Sequence, residues 1–383
     1  MTSVWAARDK KLLVLMAASL LLFVAFGAAG LVGYLTQPTT LYPDFFGLWS
    51  FARFVRTHPA IQIYDPAALF AYQRQLEQGG DITYTYPYPP PYLLLLWPLG
   101  LLSYPTARIA WIVVTLVAFL LAVCGLHRRP LLALAATAAP ATTICMIYGQ
   151  NGLLSGALMI GGMRLAQRLP VASGMLLGTL VYKPQLAILV PIALAAAGLW
   201  RAFLAAGATV IVLVVISALL FGWDIWWAWG QAIPLHSGLF DATRGRLNHL
   251  MPTVAAAGLL AGNAAAAYAA QAVATLLATI FVWRCWRASQ AAEALVVLAV
   301  ATFLATPYAF VYDMPLIAGA VLLLIACRIA RNGEFTFMEL LSYLLALVLP
   351  VGLMSDLDAV GAPLAVASLG LLMWQAARKA AVA

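Results

Sequence analysis

No charged side chain stands between Lys11 and Asp44, and none between Pro130 and Met163, a run of 34 residues. A helix rises about 1.5 Å per residue and the hydrocarbon core of a bilayer is about 30 Å thick, so the first run is long enough for one crossing and the second for two. The rest of the 383 residues follow the same pattern, with 64% hydrophobic and 9% charged side chains and a mean hydropathy of +0.96. A soluble domain carries roughly a quarter charged residues. The sequence therefore predicts an all-α polytopic membrane protein, a single domain over 1–383 with no room for a sizeable soluble domain. The opening apolar run, 12–35, follows Arg8, Lys10 and Lys11. It exceeds the 7–15 residues of a signal-peptide core and is expected to stay as an anchor.

In a soluble protein the net charge of +8 would suggest nucleic acid, but here the basic residues fall in short tracts between apolar segments and read as topology signals. Crossings placed at 12–35, 106–126, twice within 130–163, at 170–182, 185–200, 202–223, 264–283, 294–307, 314–325, 337–354 and 361–374 make twelve spans with both termini cytoplasmic. Fourteen of the 21 Lys and Arg then lie inside. Two outward loops result, 36–104 and 224–262. The first is expected to hold two short interfacial helices, roughly 46–56 and 66–78, with their apolar faces along the membrane and Arg53 and Arg56 in water or at headgroups. The segments 93–102 and 251–262 are too short to cross. Cys124, Cys145, Cys285 and Cys327 lie singly in apolar runs, without metal-ligand spacing, and read as packing residues.

Six tracts with polar groups meet on the outward side under this topology: Asp44, the loop Tyr84-Thr85-Tyr86-Pro87-Tyr88-Pro89-Pro90-Pro91-Tyr92, Gln150-Asn151, Lys183-Pro184-Gln185, the stretch from Arg244 to His249, and the stretch from Tyr308 to Asp313. Asp44 suits a catalytic base, although an Asp before a run of helix formers also suits an N-cap. Asp313 is open to the same two readings. Lys183 stands 15 residues after Arg168, about 22 Å of helix, so it stops short of water unless it snorkels. A lysine at a helix broken by Pro184 is a candidate anion site. Arg244 and Arg246 could clamp a phosphate, and His249 is open to a catalytic or a plain loop role. Asp356 and Asp358 read as a turn. No pattern of metal ligands and no nucleotide-binding loop is present.

This order of motifs resembles glycosyltransferase family 87, membrane transferases of the GT-C fold that include mycobacterial polyprenol-phosphate-mannose-dependent α-1,2-mannosyltransferases. The resemblance rests on Asp44-Phe45-Phe46, Tyr64-Asp65-Pro66, Tyr88-Pro89-Pro90-Pro91, Gly149-Gln150-Asn151-Gly152-Leu153-Leu154-Ser155, Lys183-Pro184-Gln185, Asn248, Thr306-Pro307-Tyr308 and Tyr312-Asp313. It implies an inverting transferase that moves a hexose, mannose foremost, from a polyprenyl-phosphate sugar to a lipid-linked or glycan acceptor on the outer face of a bacterial plasma membrane. It makes Asp44 the base and Lys183, Arg244 and Arg246 the donor-phosphate residues. Gln150, Asn151, Gln185, Asn248, His249, Tyr308, Tyr312 and Asp313 are left for sugar and acceptor. Where relatives using pyrophosphate donors carry a second acidic motif for metal, this chain has Gln150-Asn151, which implies no metal and no other cofactor. The competing expectation is a transporter or flippase of lipid-linked sugars, which should show internal repeats and polar groups at mid-membrane. The sequence shows no such repeat.

Overall fold

The computed structural model describes residues 17, 18, 20–22, 25, 44–76, 83–126, 129–242, 247–288, 292–332, 337–355, 360–368, 370 and 371, without the side chains of 235–242, 332 and 338. Every regular element among them is helical. Four helices are long and apolar enough to cross a membrane: Tyr104–Cys124, Trp200–Phe221, Ala264–Ala288 and the stretch Val311–Arg331. Pro130–Ala138 and Pro140–Tyr148 make a fifth if taken as one span bent by 62°. The other apolar helices have 10–17 residues, and most of the first expected span lies outside the described residues. The protein is thus a helical membrane protein, with four or five long spans among the described residues where the sequence suggests twelve crossings in the whole chain.

Proline sets where the short helices start. Pro66, Pro91, Pro130, Pro140, Pro170 and Pro184 each stand in the first turn of one. There the missing N–H costs nothing and the ring forbids continuation from the preceding turn.

Glycine sets how closely the helices pack. A Cβ on Gly174 would lie 2.3 Å from that of Ala205, and one on Gly178 would lie 2.6 Å from the Ala206 carbonyl. These two residues, four apart on Pro170–Thr179, let Trp200–Phe221 lie directly against that helix, as small residues do between helices in lipid. Gly152 and Gly156 repeat the device, and a Cβ at Gly152 would fall 1.7 Å from the Tyr312 carbonyl oxygen.

The first short helix, Phe45–Thr57, covers the expected 46–56. Phe45, Phe46, Leu48, Trp49, Phe51 and Phe54 are all buried, while Arg56 and Thr57 at its end stay exposed. It packs against Pro91–Leu96 and the 3₁₀ turn Trp97–Leu101. Arg53 lies over the Trp49 ring at 5.0 Å, and Arg56 donates to the Gly100 carbonyl at 2.5 Å, so neither is a free headgroup contact. The second helix, Pro66–Arg74, keeps an exposed side and buries Leu69 and Gln73. Asp65 caps it, accepting from the Ala67 N–H at 2.9 Å.

At the far end of the bundle Arg328 bridges Glu293 at 2.6 Å and Glu339 at 3.0 Å, joining three helices. Cys124, Cys145 and Cys285 are buried and Cys327 is half-buried, all as free thiols. Asp356 and Asp358 lie outside the described residues.

Candidate functional site

Asp44 precedes the first turn of Phe45–Thr57, where an N-cap belongs, yet its side chain makes no cap bond. Its backbone carbonyl accepts from the Gly47 N–H at 3.0 Å, which starts the helix without help from the carboxylate. The carboxylate turns away. One oxygen accepts from Gln150 Nε2 at 2.7 Å and the other from the Tyr84 hydroxyl at 3.4 Å.

Tyr84 is itself placed by Gln73, which is wholly buried. The Gln73 amide oxygen accepts from the Tyr84 N–H at 2.7 Å, and its NH₂ donates to the Tyr84 carbonyl at 3.1 Å and to Ser50 Oγ at 3.0 Å. The chain from Tyr84 to Tyr88 forms no helix, and its three tyrosines are placed differently. Tyr86 goes into the core against Phe51 and Tyr64, while Tyr84 and Tyr88 face the site.

Gln150 and Asn151 sit in the turn after Pro140–Tyr148. Gly149, at φ +65°, closes that helix in the left-handed region, with the Gln150 N–H on the Cys145 carbonyl at 3.0 Å. Asn151 is fully buried. Its NH₂ donates to the hydroxyls of Tyr88 and Tyr92, each at 3.1 Å, and its amide oxygen accepts from Lys183 Nζ at 2.9 Å. Tyr182 stacks on Tyr92 at 4.7 Å and shares a 2.7 Å bond with Ser155.

Lys183 does not snorkel. It is 4% exposed, with Nζ 2.5 Å from an Asp313 carboxylate oxygen and 5.3 Å from the centre of the Tyr312 ring. The other Asp313 oxygen accepts from the Phe310 N–H at 3.2 Å, so Asp313 closes its own turn and pairs with Lys183 at once. An ammonium carries three donors, of which Asp313 and Asn151 take two. Five tracts of the chain, around residues 44, 84–92, 150–151, 183 and 313, therefore form one connected polar network.

Burial pushes the Asp44 carboxyl above its ordinary 3.8, and the bonds from Gln150 and Tyr84 hold it back only in part. Burial, with the Asp44 charge next, raises Tyr84, and burial followed by the Asp313 charge raises Tyr88. Both phenols are thus neutral donors at physiological pH. The Gln150 amide oxygen is buried and has no hydrogen-bond partner, an acceptor left open beside the carboxylate.

Of the residues expected at the site, the network takes in Asp44, Gln150, Asn151, Lys183 and Asp313, with Tyr312 beside Lys183. Among the described residues no hydrogen bond links Gln185, Asn248 or His249 to it. His249 Nδ1 is buried without a partner. The Tyr308 N–H and carbonyl are engaged by the Thr306 hydroxyl, each at 3.1 Å. Arg244 and Arg246 lie outside the described residues, among which no three His, Cys, Asp or Glu side chains come together.

Sequence reasoning assigned no role to Gln73, Tyr84, Tyr88, Tyr92, Ser155 or Tyr182. The period-two spacing of Tyr84, Tyr86 and Tyr88 was a usable signal for the first tyrosines. Nothing in the sequence singles out Gln73.

The model of glycosyltransferase family 87 matches residues 84–307. No curated protein and no solved structure matches. The matched stretch includes Tyr84, Gln150, Asn151 and Lys183 and stops short of Asp44 and Asp313, which the fold attaches to it from either side. Because the match takes in well over half of the chain, this protein belongs to glycosyltransferase family 87 and is a membrane glycosyltransferase.

Proposed function

We propose that the protein is an inverting transferase of the GT-C type that moves a hexose, in the first place mannose, from a polyprenyl-phosphate donor to a hydroxyl of a lipid-linked or glycan acceptor. The observation that carries the reading is the Asp44 carboxylate. It stands where a cap belongs, caps nothing, and is held from two sides by Gln150 and Tyr84 with a raised proton affinity. A carboxylate so placed is a competent general base.

In this mechanism the acceptor oxygen attacks the anomeric carbon and its proton passes to Asp44. The bond from that carbon to the phosphate oxygen breaks, and polyprenyl phosphate leaves. One base acting on the face opposite the leaving group inverts the configuration, and a covalent intermediate would require a second carboxylate about 5 Å away. Asp313 is committed to Lys183. The open Gln150 oxygen takes a hydroxyl of the acceptor or sugar, and the third Lys183 N–H, with Arg244 and Arg246 from the second loop, meets the phosphate. Gln150 and Asn151 stand where an acidic pair would hold a metal, so the proposal calls for none. The site faces outward from a bacterial plasma membrane, with the termini inside and the shorter apolar helices completing the twelve crossings.

The test is product analysis with purified protein in lipid, radiolabelled polyprenyl-phosphate mannose and a panel of acceptors, with and without EDTA. Transfer should survive EDTA. Asp44→Asn should lower turnover by about 10²- to 10⁴-fold, with donor binding nearly unchanged. Near-normal turnover in folded Asp44→Asn would overturn the assignment of the base.

A further inference from the structure

A second built feature stands at the opposite end of the molecule. The helices Gly152–Leu165 and Pro315–Asn332 both begin at the site, and their far ends wall a crevice of about 360 Å³, roughly 20 Å away by helix rise. Arg164, Arg168 and Arg331 line it, and no acid does. The nearby Glu293 and Glu339 are committed to Arg328. Arg164 is partly occupied, donating to the Ala122 and Val123 carbonyls that end the Tyr104–Cys124 helix. Among the described residues Arg168 and Arg331 have no ion pair or hydrogen-bond partner, and both are exposed.

A separate observation points to a ligand. Trp286 lines the same crevice, is 3% exposed, and keeps its indole N–H buried without an acceptor. A buried donor left unmade costs about 1–3 kcal/mol, and among the described residues none accepts from this one. The rest of the lining is apolar, with Leu199, Leu295 and Leu323 beside the charges. Two guanidinium groups unpaired among the described residues, a buried N–H without an acceptor there and an apolar wall between membrane helices match an amphiphile with a phosphate head.

We propose that this crevice binds the headgroup of an anionic phospholipid, with Arg168 and Arg331 on the phosphate and Trp286 donating to an oxygen of the same head. The site is independent of the transferase reaction.

Native mass spectrometry of the full-length protein in detergent tests it, with phosphatidylglycerol, phosphatidylcholine and inorganic phosphate titrated in separate arms. Phosphatidylglycerol should bind at least about tenfold tighter than phosphatidylcholine, the difference a single charge-assisted contact supplies. Arg168→Gln with Arg331→Gln should remove that preference. Trp286→Phe, which keeps the packed ring and loses the N–H, should weaken phosphatidylglycerol severalfold. Arg168→Lys with Arg331→Lys retains the charge that orients the protein in the membrane and should give an intermediate affinity, which separates loss of the site from misassembly. Equal binding of the two lipids, or an undiminished preference in the Gln pair, would overturn the proposal. So would displacement of phosphatidylglycerol by inorganic phosphate at equal concentration, since the site would then belong to a soluble anion.

Discussion

Asp44 and Lys183 show two outcomes for a charge placed near lipid. The carboxylate receives only hydrogen bonds and stays partly uncompensated, so burial raises its proton affinity. A raised carboxyl binds its proton in the folded state at pH values where the unfolded chain has released it. Its ionised form therefore weakens folding once the pH rises past the raised value. Activity runs the other way, because only the ionised form accepts a proton. The acidic limb of kcat/KM should lie above the ordinary Asp value of 3.8, and Gln150→Leu, which removes the main bond favouring the anion, should move it further up. A pH–rate profile of both forms checks this, and a limb unmoved by the substitution would separate Gln150 from the base. Lys183, by contrast, has a full counter-charge. Lys183→Met leaves Asp313 buried and unpaired and should cost about 3–5 kcal/mol, whereas Lys183→Met with Asp313→Leu should recover much of that stability. Denaturation of the three variants in detergent measures it. If the single substitution leaves stability intact, the pair does not hold the fold. Both charges were legible in the sequence as polar groups at the edge of apolar runs. Gln73 was not, because its role exists only once Tyr84 has come back alongside it.

At the scale of elements, prolines and glycines were readable but their consequences were only partly so. Pro130, Pro170 and Pro184 mark helix starts by composition alone. The spacing of Gly174 and Gly178 reveals nothing about which helix they admit, since that depends on tertiary packing. The helix Phe45–Thr57 is legible as a short helix following a span, but which elements its buried aromatic residues meet, and that they hold Asp44 in place, depends on the fold. Among the described glycines the tightest approach is at Gly152, where even a methyl group would overlap the Tyr312 carbonyl. Gly152→Ala must push the Val311–Asp313 turn away from Asn151 and thereby part Asp313 from Lys183. It should abolish transfer, while Gly207→Ala, which meets nothing within 4 Å, should leave it unchanged. Product formation by the two variants at matched expression checks the difference, and an active Gly152→Ala enzyme would mean that this approach is dispensable.

For the whole molecule, the all-helical membrane class was legible from two uncharged runs, while the number of long spans was not. Hydropathy reports how apolar a segment is and says little about where a helix bends or stops. The orientation proposed from the basic tracts predicts that cysteines introduced at Thr57 and Ser289, in a chain otherwise freed of cysteine, are labelled by an impermeant thiol reagent from outside and inside respectively. The reverse pattern would place the Asp44 site on the cytoplasmic face. One feature of the bundle also bears on how substrate arrives. The stretch Val311–Arg331 is fastened near both ends, by Asp313 to Lys183 and by Arg328 to Glu293 and Glu339. Sliding it by one turn, about 5.4 Å, would strand buried charges at two places simultaneously. A helix pinned in this way holds its register along the bundle. Asp313 therefore keeps its place beside Lys183 and Asn151, and in the proposed reaction a lipid-linked donor comes to a fixed centre.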